Sequence, residues 1–230
     1  MTQVRASHLR LVQSEPLPPP APRARLRFQP IVRLVDGAPF GMHVECDRAF
    51  EDARFGRQQR SDDTAGGWLG DLIERAAARA AEERILHRPL SVTAPVASLF
   101  DRDAPLAAEA AAARSRMLPS ELRIDFADAS VTALEDFAMD RLDAFRRRGF
   151  RVGLDARESW RTPMSERARS IFESVKLDTS RSFAAEIPLS RLEAAAADGV
   201  ALIAERARWR DADELAAIGI HFAASPRSDG

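Results

Sequence analysis

The runs Phe150-Arg151-Val152-Gly153-Leu154-Asp155 and Val175-Lys176-Leu177-Asp178 decide how this chain is read. Each is short, rich in strand-favouring residues, and ends on ionisable side chains where a strand gives way to a loop. Lys176 sets the second run apart: among 34 lysines and arginines it is the only lysine. Arginine is bulkier, planar and unable to shed its proton, whereas lysine offers a compact ammonium. A buried cation facing carboxylates explains one retained lysine in register with a strand-end aspartate. The competing reading is a lysine left at the surface, where most lysines lie.

Working outward, strands are expected at Leu26-Arg27-Phe28-Gln29-Pro30-Ile31-Val32-Arg33-Leu34 and Phe40-Gly41-Met42-His43-Val44-Glu45, joined by an Asp36-Gly37 hairpin turn. Residues 51–67 are polar and read as loop. A helix over 68–88 carries Leu69, Leu72, Ile73, Ala76 and Ala80 on one face. Strands at 90–93 and 122–126 flank an Ala-rich helix at 106–117. A helix over 134–148 has the stripe Leu134, Ala138, Leu142 and Phe145, and Gly149 ends it. After strand 150–155 come helix 163–173, strand 175–177, helix 188–197, strand 200–204, helix 211–218 and a last strand near Ile220-His221-Phe222. This alternation predicts about seven parallel strands and one antiparallel opening strand, closed as an α/β barrel of the (β/α)8 kind. Chemistry in such barrels sits at the carboxyl ends of the strands. Those ends carry His43, Glu45, Thr93, Asp125, Asp155, Lys176, Asp178 and Glu205.

With 230 residues, 45% hydrophobic and 30% charged, the composition is that of an ordinary globular protein. A net charge of −1 gives no general pull towards nucleic acid or an anionic membrane. A single cysteine, Cys46, excludes an internal disulfide and fits a reducing compartment. No apolar run approaches the roughly 20 residues that span a bilayer, and no signal peptide is read, so a cytoplasmic protein is expected. Residues 1–25 carry Pro16, Pro18, Pro19, Pro20 and Pro22, with Arg5, Arg10, Arg23 and Arg25 against Glu15. They read as an extended arm before a barrel at 26–226 and a tail at 227–230.

Phe28-Gln29-Pro30-Ile31-Val32, Asp36-Gly37, Gly41, Val92, Gly153-Leu154-Asp155, Val175-Lys176-Leu177-Asp178 and Ala204-Glu205 resemble the EAL-domain family, cyclic di-GMP phosphodiesterases built on a (β/α)8 barrel whose first strand is antiparallel. The spacing from Asp155 to Lys176 matches that between two of the family's motifs. The resemblance implies a remnant site of Asp125, Asp155, Lys176, Asp178 and Glu205. It also implies substitutions. The signature Glu falls on His43, the arginine after the signature on Asp47, the metal-binding Asn on Thr93, the second Asp of the Asp-Asp pair on Ala156, and a late Glu on Arg208. Two-metal hydrolysis needs oxygen ligands holding cations about 3.5–4 Å apart, and these changes remove ligands or place a cation among them. A degenerate domain without metal or cofactor is therefore expected, its carboxylates neutralised by Lys176. Weak retention of one ion, or a zinc site of His43, Asp125 and Asp155, is the alternative.

Three functions follow from the resemblance. A catalytically inactive regulator binding a protein partner, in motility or transcription control, is preferred. Trp160 and Trp209 follow strand ends and are flanked by Arg157, Arg161, Arg208 and Arg210, residue types enriched at binding hot spots. Each tryptophan alternatively folds down to fill a vacated pocket. A non-hydrolysing cyclic di-GMP receptor is second and an active phosphodiesterase third; nothing points to nucleic acid. Lys176 itself is expected within ion-pair reach of Asp155 and of Asp125 or Glu205.

Overall fold

A computed structural model describes residues 26–46, 65–179 and 189–227. The proline-rich arm, Asp47, residues 51–64 of the polar loop and tail residues 228–230 lie outside the described residues.

Eight strands close into one barrel in chain order. They are β1 (Leu26–Arg33), β2 (Pro39–Cys46), β3 (Leu90–Thr93), β4 (Leu122–Ala127), β5 (Arg151–Asp155), β6 (Ser174–Asp178), β7 (Ala201–Glu205) and β8 (Phe222–Ala224). β1 runs antiparallel to both β2 and β8, and every other neighbouring pair is parallel. The hairpin forms because Asp36 accepts hydrogen bonds from Ala38 N at 3.0 Å and Arg33 Nη2 at 2.8 Å, while Gly37 takes φ +70°.

Helices α1 (Ala65–Glu82), α2 (Ala97–Phe100), α3 (Ala104–Arg114), α4 (Asp128–Arg147), α5 (Glu166–Ile171), α6 (Leu189–Ala197) and α7 (Ala212–Ala217) surround the strands. Leu69, Ile73, Ala76 and Ala80 of α1 are fully buried, as their spacing predicts. The helix differs from expectation at both ends. It takes in Gly66 and Gly67, expected as loop. A side-chain carbon on Gly66 would stand 3.0 Å from Ala104 Cα, so glycine lets α1 press on α3, and Asp101 Oδ2 accepts its N–H at 2.8 Å. The far end stops at Glu82, with Arg84 in the left-handed region at φ +56°. Helix α4 begins before the expected residue 134 and kinks at Glu135, whose φ is +44°. Arg227, expected in the tail, instead donates its N–H to Ala207 O at 3.0 Å and continues the ordered chain.

The larger apolar core lies between strands and helices; a smaller one, Ile31, Ile203 and Ala224 with Phe40 and Phe222, fills part of the lumen. Strand alternation sends Val175 and Leu177 of β6 to the outer core and turns Ser174, Lys176 and Asp178 inward. Among the described residues no helix is long and apolar enough to cross a membrane.

Candidate functional site

Lys176 has no exposed surface and lies in the lumen. Its Nζ donates to Asp125 Oδ2 at 2.6 Å and to Ser91 Oγ at 3.1 Å, and meets His43 Nδ1 at 2.8 Å. Ser91 in turn donates to Asp125 Oδ2. Burial, and next the Lys176 charge, hold His43 well below the usual histidine range. The ring is therefore neutral, with Nδ1 as acceptor. Burial pushes the Asp125 carboxyl up, but Lys176 and Arg123 outweigh it and bring it below the usual carboxylate range. Burial also pulls Lys176 down, opposed by Asp125. A buried ammonium–carboxylate pair results.

Gly153 makes room for that pair. A side-chain carbon there would stand 2.0 Å from Asp125 Oδ1, so only glycine fits opposite the carboxylate.

Asp155 stands elsewhere than expected. It is not within ion-pair reach of Lys176, its Cα partner on β6. Its carboxylate takes both Nε and Nη2 of Arg157, at 2.8 and 2.6 Å. Arg157 Nη1 then reaches Glu205 at 3.0 and 3.2 Å. One guanidinium thus clamps the ends of β5 and β7, a two-pronged use of its planar fork. Burial raises the Asp155 carboxyl, and the Arg157 hydrogen bonds overcome this and hold it low. Burial works against the charge on Arg157; Asp155, then Glu205, hold it protonated all the more firmly. Asp178 has Arg206 at 3.4 Å. These groups, with His43, Thr93 and Glu45, border a mouth cavity of about 570 Å³.

The other expected residues scatter. Ala156 is buried, its N–H on Lys176 O at 2.9 Å. Arg208 is exposed and does not line the mouth; it borders a groove with Arg206 and Arg227. Trp160 is a correction: only 5% of it is exposed, so it fills a pocket, with the Arg191 guanidinium over its ring at 5.9 Å. Asp128, at the head of α4, holds this loop down by accepting from Ser159 Oγ, Arg161 N and Thr162 N at 2.9, 2.7 and 2.8 Å. Trp209 is 37% exposed and lies beside Gly37 of the hairpin turn. Arg161 and Arg210 are exposed. Sequence reading missed Asp128, Ser91 and Arg123. The last two were legible, since Ser91 and Arg123 precede Thr93 and Asp125 by two and share their strand faces.

Among the described residues no three His, Cys, Asp or Glu side chains are grouped to hold a metal ion. The carboxylates a metal would use are turned to cations, Asp125 to Lys176 and Asp155 and Glu205 to Arg157. His43 Nδ1 faces Lys176. These residues do not fit a two-metal centre.

A closed eight-stranded barrel with one antiparallel strand, β1, is the fold of EAL-domain proteins. The particular likenesses are distant. The Klebsiella pneumoniae BlrP1 calcium/cyclic di-GMP complex superposes with a TM-score of 0.67 at 15% identity, over 87% of this chain and 54% of that one. The PaMucR phosphodiesterase complex with cyclic di-GMP gives 0.69 at 13%, over 87% and 93%. A standalone EAL protein from Vibrio cholerae O395, bound to cyclic di-GMP, gives 0.64 at 19%, over 87% and 89%. The chain thus spans about half of BlrP1 and most of the other two, and at these identities the likeness carries the fold. No family model and no curated protein matches the sequence.

Proposed function

We propose that this chain is a degenerate EAL-like domain of cyclic di-GMP signalling that does not hydrolyse the nucleotide and serves as a cytoplasmic, regulatory protein-binding module. The Arg157 clamp on Asp155 and Glu205 carries this reading. A guanidinium placed between the strand-end carboxylates repels a divalent cation and occupies their lone pairs, and without such a cation the activated water of two-metal hydrolysis has no source. The partner surface is Trp209 with Arg208 and Arg210, exposed just past the end of β7. Motility or transcription control is the proposed setting.

A second reading, a receptor that binds cyclic di-GMP without cutting it, draws on the mouth cavity and on Arg157 and Arg206 along it as phosphate-pairing groups. One experiment separates the readings. The full chain is incubated with cyclic di-GMP and Mg²⁺ or Mn²⁺, product is followed by chromatography, and binding by calorimetry. No turnover and no binding is expected. Turnover abolished by Asp155→Asn overturns the proposal, and binding without turnover selects the receptor.

A further inference from the structure

The mouth cavity holds more acid than its arginines balance. Six carboxylates line it, those of Glu45, Asp128, Asp155, Glu158, Asp178 and Glu205, against the guanidinium groups of Arg157 and Arg206, with His43 neutral. Beneath it Lys176 and Arg123 exceed Asp125 by one positive charge, and Arg27, the Cα partner of Glu45, adds one more at the rim. With every carboxylate ionised, two negative charges remain over. The segments that follow β2 and β6 at the same end do not cancel them: residues 47–64 carry five acids and four arginines, and residues 180–188 one of each. Arg161, Arg208 and Arg227 do not line the cavity.

The chain enters the barrel at this mouth. Leu26 pairs with Cys46, and Cys46 and Glu45 both line the cavity. Ile31 of β1 sits in the lumen, and Gln29, two residues nearer the mouth, donates to Glu45 at 3.3 Å, so alternation sets Arg27 on the same face. Arg25 and Arg23 continue this every-second-residue spacing, and residues 1–25 hold four arginines against one acid. Three extended residues span at most about 10 Å, so both arginines reach the cavity without the rest of the arm. A tether this short gives an effective concentration in the millimolar range.

The lining suits an extended cation rather than a point charge. Among the described residues no three acids are grouped for a metal ion, and Asp155 and Glu205 already face Arg157. Glu45, by contrast, has the neutral Gln29 as its hydrogen-bond partner. A guanidinium brings five N–H donors, and its apolar stem fits against Val44, Leu72 and Ala127 of the cavity wall. A phosphate has the wrong charge.

We propose that the mouth is the docking site of the chain's own N-terminal arm, with Arg23 and Arg25 seated among its carboxylates. The arm is then the resident ligand of the mouth, and a partner that captures the arm uncovers the cavity. This goes beyond the proposed function and does not depend on it, since the charge of the mouth is the same whatever Trp209 meets.

Cys46 reads the docking, being the chain's one thiol and part of the cavity wall. Its alkylation by iodoacetamide, a neutral reagent, is followed in the full chain by mass spectrometry. Arg23→Glu/Arg25→Glu is expected to label on the order of tenfold faster than the parent, whose mouth must first open. Salt at about 0.5 M should bring the parent up to the variant's rate by screening the contact. A mere through-space effect of the arginines on the thiol runs the other way, because removing them disfavours the thiolate. Equal or slower labelling of the variant overturns the proposal. So does protection of the parent that fades on dilution, which assigns the mouth to the arm of a second copy.

Discussion

Lys176 and Arg157 both neutralise carboxylates in this barrel, on opposite sides of the solvent boundary. Lys176 is fully buried and divides its ammonium among Asp125, Ser91 and His43. Arg157 keeps 33% of its side-chain surface in water and spans Asp155 and Glu205. The ammonium is compact enough for the converging strands, and the planar fork bridges strands that do not touch. Their energetics differ for the same reason. Removing the inner cation leaves a carboxylate with no exposed surface, whereas removing the outer one leaves carboxylates that are partly exposed.

Lys176→Met should have the largest effect, a loss on the order of 3–5 kcal/mol at neutral pH by denaturant unfolding, as for one partner of a buried pair. The deficit should shrink in mild acid. Without Lys176, burial raises the Asp125 carboxyl, which takes up a proton as pH falls. Parent-like unfolding at neutral pH would erase the distinction between the two cations.

Gly153→Ala comes next, at roughly 1–3 kcal/mol, the usual cost of overpacking. The added carbon lands on Asp125 Oδ1 and must push it off Lys176. A urea midpoint unchanged from the parent would show that the carboxylate moves freely, and that the inner pair is less fixed than the outer.

Arg157→Ala should cost least, about 1 kcal/mol, since solvent screens a partly exposed pair. Its pH dependence has a definite sign. The folded Asp155 carboxyl is held below its unfolded value, so the clamp contributes fully above the unfolded pKa of about 3.9 and loses its contribution as pH falls through the folded one. Melting curves of parent and variant should therefore converge on acidification. A gap that stays constant down to pH 3 would place the stabilisation outside the ion pair.

The barrel was legible because its evidence is local. Alternating strand and helix patterns, Gly149 after the last turn of α4 and Asp36-Gly37 at the hairpin each act within a few residues. Lys176 was legible by its rarity, but strand register sets it abreast of Asp155, and only the reach of its side chain carries the ammonium to Asp125. The clamp was not. Arg157 and Glu205 are 48 residues apart, and their meeting depends on barrel curvature, which no periodicity encodes. Arg157 was therefore read as a surface group and Asp155 given to Lys176. Trp160 was misplaced for a related reason. Its loop is drawn inward by Asp128, an anchor that carries no motif. The kink at Glu135 left no trace because the apolar stripe of α4 continues past it.

The burial of Lys176 has a consequence for covalent chemistry. The chain's one lysine has no exposed surface, so the folded barrel offers amine-directed reagents no side-chain target. Acylation at Lys176 requires the strands around it to part, and each labelled molecule records one such opening. In the folded barrel, any enzyme that marks proteins on lysine finds no lysine within reach.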